Sequence, residues 1–406
     1  MQLTIRAVIK GFAVLGIFLA FLVGEFGAQP NYQTLIEQQY PTSSITKLSD
    51  SGQGYARYEI GNGGQEPFLL LIAETEGYGG PMVVATEVFK HKGSFKTGES
   101  YLLLDKETLS YVISLEQQLF FNQLENHQLN DNFQLGDDLD GYSGATITAR
   151  GISSAMRTTL HPMAIEQGLE QQWQGESWHF GSKEVLLLIL VVAAIASCTK
   201  LSGKPAKWLK KGLPIAALLI VGYYTNSAVS ITHFLSLLLG YIPSPQAHPA
   251  WWVLMGAIVG CIVIMGRNIY CHKLCPFSAV QGLLNTITGL NLSVPRWLVK
   301  NSRTIVLSMI WTALCISLIS RNPSISGYEP FSMLFSLEGV GLQWYIMPMA
   351  LFGAMLVPDF WCRFFCPVGL TINEAVKLRR KATKHWEQRI SVREHMHKGG
   401  KHEPQP

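Results

Sequence analysis

Two groups of residues in this chain have types and spacings suited to chemistry. The first is Asp140-Gly141-Tyr142-Ser143-Gly144-Ala145-Thr146, followed by Ile147 and Thr148. Gly141 and Gly144 permit tight turns, and Ile147–Met156 reads as the start of a helix. A phosphate held at a helix start meets unpaired backbone N–H groups and the positive end of the helix dipole. A threonine hydroxyl at that point is placed to be esterified to such a phosphate. The plainer reading is a Gly-rich turn capping an ordinary helix. The second group is two C-x-x-x-C-P motifs, Cys271-His272-Lys273-Leu274-Cys275-Pro276 and Cys362-Arg363-Phe364-Phe365-Cys366-Pro367. On a helix, residues four apart share a face. The two motifs together supply four thiolates, the number an iron–sulfur cubane takes. His272, Lys273 and Arg363 would offset its negative charge, and Pro276 and Pro367 would end or bend each helix. The same thiols also suit two separate two-thiol sites, a redox disulfide relay, or another soft metal such as copper or zinc. Cys198, Cys261 and Cys315 stand singly on apolar stretches and read as buried, inert thiols.

The D-G-x-S-G-A-T stretch resembles the pattern on which a flavin transferase esterifies FMN to threonine in Rnf- and Nqr-type respiratory flavoproteins and in NosR-like proteins. The resemblance implies covalent FMN on Thr146, with Asp140, Gly141, Ser143, Gly144 and Ala145 around it and Thr148 as a neighbouring decoy. Gly77-Tyr78-Gly79-Gly80 resembles the same family's flavin-domain loop. The cysteine motifs are similar to the membrane segment of NosR-like and NapH-like proteins. That similarity implies a [4Fe-4S] cluster on Cys271, Cys275, Cys362 and Cys366. Together the two resemblances cover nearly the whole chain. One departure stands out: longer NosR-like members add a C-terminal ferredoxin with C-x-x-C-x-x-C runs, whereas residues 377–406 here form a basic tail with no cysteine. The shorter architecture is similar to membrane flavoproteins found beside organohalide-respiration enzymes.

The elements that must position these groups are legible in composition and charge. With 406 residues, a mean hydropathy of +0.19 and only 15% charged residues, the chain is too apolar for an ordinary soluble enzyme. Residues 28–182 hold 19 Asp and Glu against 8 Lys and Arg, a net −11, which leaves +15 for the rest of a chain whose total is +4. All seven cysteines lie outside that acidic block, so it contains no disulfide and the chain is no secreted disulfide scaffold. The expected architecture is an extracytoplasmic α+β FMN-binding domain followed by an all-α multi-span membrane domain. Its expected parts are an N-terminal membrane anchor at 1–27, the FMN domain at 28–180, a five-span domain at 181–376 and a cytoplasmic tail at 377–406. Strands are expected at Phe68–Ala73 and Met82–Val88.

Six transmembrane helices are expected: 11–23, Val185–Cys198, part of Leu213–Ile242, Trp251–Gly266, Ile305–Ser320 and Trp344–Trp361. With six crossings the basic clusters at 6–10, 200–211, 267–303 and 363–384 all fall on one side, which the positive-inside rule makes the cytoplasm. The acidic domain then lies outside, and the uncharged run 277–294 is interfacial or re-entrant. His233, in another uncharged run, reads either as a haem or quinone contact or as a polar kink.

No residue needs to act as a general acid or base, so no catalytic residue is assigned. The expected function is a conduit in the inner membrane, the electron-transfer component of an oxidoreductase. Electrons from the quinone pool or a cytoplasmic donor would reach a periplasmic reductase or electron carrier. The alternative is a redox sensor or a maturation factor for a periplasmic metalloenzyme. A flavin transferase would be needed for maturation, a quinone is a candidate link, and the basic tail makes no case for nucleic acid. A hydrocarbon core of ~30 Å separates the two expected cofactor levels, too far for one electron hop.

Overall fold

The computed structural model describes residues 2–27, 31–51, 55–61, 63, 66–77, 80–91, 93–107, 109–141, 145–174, 180–198, 204–246, 248–336 and 341–399. The chain forms two compact units. One comprises Met1–Phe180, Ser230–Pro249 and Ser308–Met349; the other comprises Gly181–Val229, Ala250–Leu307 and Ala350–Pro406.

The first unit opens with helix α1 (Gln2–Phe26) and helix α2 (Tyr32–Gln39). The Asn31 side chain caps α2 by accepting from the N–H of Gln33 at 3.1 Å. Five strands follow: β1 (Ser44–Ser51), β2 (Tyr55–Gly61), β3 (Phe68–Glu76), β4 (Pro81–His91) and β5 (Ser94–Asp105). They form one antiparallel sheet in chain order. Both expected strand segments lie inside β3 and β4. Leu70, Leu71, Ile72 and Ala73 are all buried, so the run is continuously apolar because both sheet faces are covered. One face packs under α2, where Ile36 joins Tyr58, Ile60, Leu70 and Ile72. The other packs under α3 (Leu109–Gln117) and α4 (Thr146–Glu166), where Leu71, Met82 and Val84 meet Leu115, Ala149, Ile152 and Met156. Helix α4 sits closest at Gly151, where an added Cβ would collide with the Glu76 carbonyl oxygen. Thr75 Oγ1 also donates to the Gly151 carbonyl at 2.8 Å. This is the α+β domain the sequence indicates.

The rest of the chain is helical. It runs through α5 (Ser182–Ala196), α6 (Lys204–Ala217) with a π-helical continuation Leu218–Tyr224, α7 (Ile231–Leu238), and α8 (Pro249–Gly260) with a π-helical continuation Cys261–Met265. A short π-helical turn, Tyr270–Leu274, leads to α9 (Pro276–Thr288), α10 (Arg296–Ser320), α11 (Phe331–Ser336), α12 (Gln343–Leu356), α13 (Phe360–Phe364) and α14 (Pro367–Gly399). Among the described residues, two helices are long and apolar enough to cross a membrane, Val8–Phe26 within α1 and Arg296–Ser320; Pro249–Met265 is a shorter apolar helix. The six expected crossings therefore do not appear as six long helices. The run 213–242 breaks between Tyr224 and Ile231, and α5 and α12 have 15 and 14 residues, with Pro348 inside α12.

Within the first unit, α1 and the C-terminal half of α10 pack side by side and run parallel. Trp311 Nε1 donates to the Ala13 carbonyl at 2.9 Å, and Arg321 pairs with Glu25 at 3.2 Å. Gly16 lies against the Trp311 ring, and a Cβ at Gly24 would collide with the Leu318 carbonyl. The glycines thus let the two backbones approach closely.

Candidate functional site

Thr146 is the first residue of α4, and Ala145, buried to 1%, is its N-cap. Helix starts leave backbone N–H groups unpaired, so Thr146 stands where a phosphate is best received. Thr146 is half-buried. Thr148 differs sharply: it is fully buried, and its Oγ1 donates to Glu107 Oε2 at 3.1 Å. The two threonines thus lie in different environments, Thr146 half-buried at the helix start and Thr148 fully buried against Glu107.

Glu107 also joins the two flavin-type motifs. It is 3% exposed, and a Cβ at Gly77 would run into its Oε2. The Gly77 N–H donates to the Gly80 carbonyl at 2.9 Å, closing the turn, and a Cβ at Gly80 would collide with the Lys106 carbonyl. The turn and the start of α4 therefore share one carboxylate. Tyr78, Gly79, Ser143 and Gly144 lie outside the described residues. Asp140 is exposed, and its N–H donates to Gln123 Oε1 at 2.7 Å. Gly141 is exposed, only Leu135 would touch an added Cβ, and its backbone is not left-handed. Neither crowding nor backbone sign demands glycine at Gly141 itself.

The loop between α7 and α8 covers this end of the domain. Lys106 Nζ donates to Tyr241 Oη at 3.4 Å, and the Ser244 N–H donates to Glu76 Oε2 at 3.1 Å. Burial raises the Glu76 carboxyl, and the Ser244 bond partly opposes that rise. His248 is buried beside Arg150 on α4; burial, aided by the guanidinium charge, lowers it to about 4, so the ring is neutral at pH 7. Sequence reading missed Glu107 and this loop. Glu107 sits in an acidic domain full of carboxylates, and only its burial distinguishes it.

The cysteine motifs meet within the second unit. Cys271 lies in the π-helical turn Tyr270–Leu274. Cys275 is extended (φ −70°, ψ 115°) and caps α9, with Pro276 at its first position. Cys362 lies in α13, and Cys366 immediately precedes Pro367, which opens α14. So each proline ends one helix as expected, but it also starts the next. The expected i, i+4 helical face is replaced by a helix break inside each pair. Gly369 lies within reach of both Cys366 Sγ and Cys271 Sγ, since a Cβ there would sit 3.7 and 3.9 Å from them. All four thiols lie close enough to influence one another electrostatically.

Donors surround the sulfurs. Gln281, fully buried, donates from Nε2 to Cys362 Sγ at 3.1 Å and accepts the Trp361 N–H at 2.8 Å. The Gly369 N–H points to Cys366 Sγ at 3.4 Å. Asn268 Oδ1 accepts the Cys271 N–H at 3.1 Å, and its amide donates to Asn373 at 2.9 Å. Among the described residues, no three His, Cys, Asp or Glu side chains are arranged to hold one metal ion. Thiols met by N–H donors at Cys362 and Cys366 suit thiolate ligation.

The FMN-binding domain family matches residues 77–161, beginning at the Gly77 turn. The 4Fe-4S binding domain family matches residues 247–299 and 341–384, which include all four cysteines of the motifs. The chain is also similar to the Regulatory protein NosR of Pseudomonas aeruginosa, 23% identical over 243 residues, covering 53% of this chain and 33% of that protein. Protein NirI of Paracoccus denitrificans is 24% identical over 191 residues, 43% of this chain and 28% of that protein. The Regulatory protein NosR of Stutzerimonas stutzeri is 21% identical over 231 residues, 51% and 31%. The chain thus spans about a third of the length of these curated relatives. No solved structure matches it. An FMN-binding domain and a 4Fe-4S binding domain in one chain define a redox protein. With the similarity to NosR and NirI, these matches support a NosR-like membrane flavoprotein.

Proposed function

We propose that this chain is an electron-transfer flavoprotein of the cytoplasmic membrane, with FMN esterified to Thr146 and an iron–sulfur cluster on Cys271, Cys275, Cys362 and Cys366. The observation that carries the flavin site is the contrast between the two threonines. Thr146 heads α4 and is half-buried, whereas Thr148 is fully buried against Glu107. Bound there, FMN accepts two electrons and releases them singly. The protein's own residues hold the phosphate at the helix start, shape the site through the Gly77 turn and Glu107, and cover it with the 240–248 loop.

The proposed topology has six crossings and the FMN domain outside. The parallel packing of α1 and α10 supports it: both begin at basic residues, Arg6 and Lys10 in α1 and Arg296, Lys300 and Arg303 in α10. Both end beside the Glu25–Arg321 pair. Two parallel helices with basic starts suit one orientation under the positive-inside rule. The donor is the quinone pool or a cytoplasmic reductant, and the acceptor is a periplasmic reductase or carrier. Maturation requires a flavin transferase.

A denaturing gel viewed for flavin fluorescence tests the site. Fluorescence is expected in the parent and in Thr148→Ala, and its persistence in Thr146→Ala would refute the assignment. A regulatory or maturation role is the second reading, favoured by the description of two relatives as regulatory proteins. Reoxidation of the reduced flavoprotein by a periplasmic acceptor at a rate matching turnover favours the conduit; the absence of reoxidation by any acceptor favours regulation.

A further inference from the structure

The first unit holds a cavity of about 500 Å³ beside the end of α10. It opens on the sheet face that α2 covers, where Val83 and Leu104 belong to the core that Tyr32 also packs on. Thr146 heads α4, which packs on the opposite face. The cavity is therefore separate from the flavin attachment point.

Its lining is divided by charge. Lys106 Nζ donates to Tyr241 Oη at 3.4 Å and lies 5.8 Å from the centroid of that ring. Tyr241 Oη in turn donates to the Arg321 carbonyl at 3.2 Å. This chain of contacts brings two cations to one part of the cavity. Another part is anionic, where Tyr32 Oη donates to Glu74 Oε1. Glu74 is on β3 and Lys106 directly follows β5, with β4 between them. Two strand spacings put their backbones about 10 Å apart. A carboxylate and two cations at that separation suit a ligand that carries both signs of charge.

Arg321 stands where a different residue would be easier to place. It directly follows α10, and its backbone is left-handed (φ 49°). Glycine or asparagine is the usual occupant of such a helix end, and a longer side chain there costs of order 1 kcal/mol or more. The ion pair with Glu25 is half-exposed, so it offsets little of that cost. A guanidinium also carries more N–H donors than one carboxylate takes. The strained position therefore puts a phosphate-binding group at the mouth of the cavity.

Position narrows the source of the ligand. Glu25 and Arg321 mark the adjacent ends of α1 and α10, the two long apolar helices. If both span the membrane, as the proposed function holds, the cavity lies at headgroup level. Phe26 and Ile325, beside those ends, are exposed, as residues against acyl chains would be. Ser324, next to Ile325, donates to the Lys106 carbonyl at 2.8 Å, which ties this edge to the cavity.

We propose that the cavity binds the phosphoethanolamine headgroup of a membrane phospholipid. Arg321 and Lys106 hold the phosphate, and Glu74, oriented by Tyr32, accepts from the ammonium. A lipid with phosphate alone would leave Glu74 without its cation, and a quaternary ammonium brings no N–H donor. The inference rests on the proposed membrane placement. It gives the flavin domain a lipid-dependent seat at the ends of α1 and α10.

The test uses the full-length flavinylated protein, stripped of lipid in detergent and titrated with single phospholipids under native mass spectrometry. Phosphatidylethanolamine is expected to bind at least about tenfold more tightly than phosphatidylcholine or phosphatidylglycerol, the range for a charged hydrogen bond. Arg321→Gly is the main variant, because glycine accepts the left-handed backbone: its melting temperature should hold while phosphatidylethanolamine affinity falls at least about tenfold. Lys106→Gln is the second variant, used if Arg321→Gly melts early, with a loss in the same direction. Glu74→Gln should erase the preference over phosphatidylglycerol and leave in-gel flavin fluorescence unchanged. Parent-like affinity in a folded variant overturns the proposal, as does equal or tighter binding of phosphatidylglycerol by the parent. Soluble glycerophosphoethanolamine bound as tightly as the lipid overturns the lipid source. Extraction of the parent from membranes by alkaline carbonate refutes the membrane placement itself, whereas retention without lipid preference refutes this site alone.

Discussion

The flavin site and the cysteine site use the same device in unlike surroundings. Each puts its reactive side chain at the point where one element stops and a helix begins. At the flavin site, Ala145 and Thr146 open α4, which rests on a sheet through Gly151. At the cysteine site, Cys275 and Cys366 precede Pro276 and Pro367, which open α9 and α14. Backbone N–H groups at a helix start favour negative charge, which at the proposed sites would be phosphate in one and thiolate in the other. The difference lies in what fixes the helix. A sheet and a buried carboxylate hold α4, whereas side-chain amides from Gln281 and Asn268 hold the cysteine segments. The sheet-supported site holds one half-buried threonine at a helix start, and the amide-supported site brings together segments from distant parts of the sequence.

That comparison can be broken at several points. The largest effect is expected from Cys271→Ser or Cys362→Ser: iron and sulfide should fall to background, with in-gel flavin fluorescence unchanged. Joint loss of both would show that the sites are not independently built. Next, Thr146→Ala should remove all covalent flavin and leave iron content intact. A structural probe comes third. Gly151→Ala should destabilise the flavin domain by about 1–3 kcal/mol, because the added methyl meets the Glu76 carbonyl with no room to give. Thermal denaturation followed through tryptophan emission would measure it, and an unchanged melting temperature would show that α4 can lift from the sheet.

A smaller effect concerns pH. His161 stacks on Trp173 with centroids 4.0 Å apart, and its Nε2 lies 2.9 Å from the Asp131 carbonyl. Burial lowers its pKa below the ordinary value of 6.5. A depressed folded-state value means the neutral ring stabilises the fold above pH 6.5, and this contribution is lost as the pH falls through the folded value. The melting temperature should therefore drop between pH 7 and pH 5 by less in His161→Gln than in the parent. Equal slopes would exclude His161 as the titrating group. The smallest expected effect is Gln281→Leu, which removes an N–H···S bond and should lower the cluster potential modestly, as followed by redox titration, with the iron content retained.

The sequence made some of this legible and concealed the rest for physical reasons. Strands β3 and β4 were visible because residues buried on both faces leave an uninterrupted apolar run. The helix start at Thr146 was visible because a Gly-rich turn before a helical pattern has few other uses. The choice between Thr146 and Thr148 came from the resemblance, and the burial of Thr148 on Glu107 was hidden because it depends on a partner 41 residues away. The break inside each cysteine pair was hidden because C-x-x-x-C spacing looks the same on a continuous helix and across a helix end. The cavity beside Arg321 was hidden for a related reason. Tyr32, Lys106 and Arg321 are far apart in the chain, and only the fold brings them to one lining.

The packing of α1 on α10 has a consequence for biosynthesis. The Trp311 indole and the Ala13 carbonyl that accepts it are separated by 298 residues. At ~5–20 residues per second, the first helix waits roughly 15–60 s before its partner is made. During that interval its glycine groove at Gly16 and Gly24 is open to any other helix nearby. A nascent chain arrested before residue 311 should therefore leave positions 16 and 24 open to cross-linking with something other than α10.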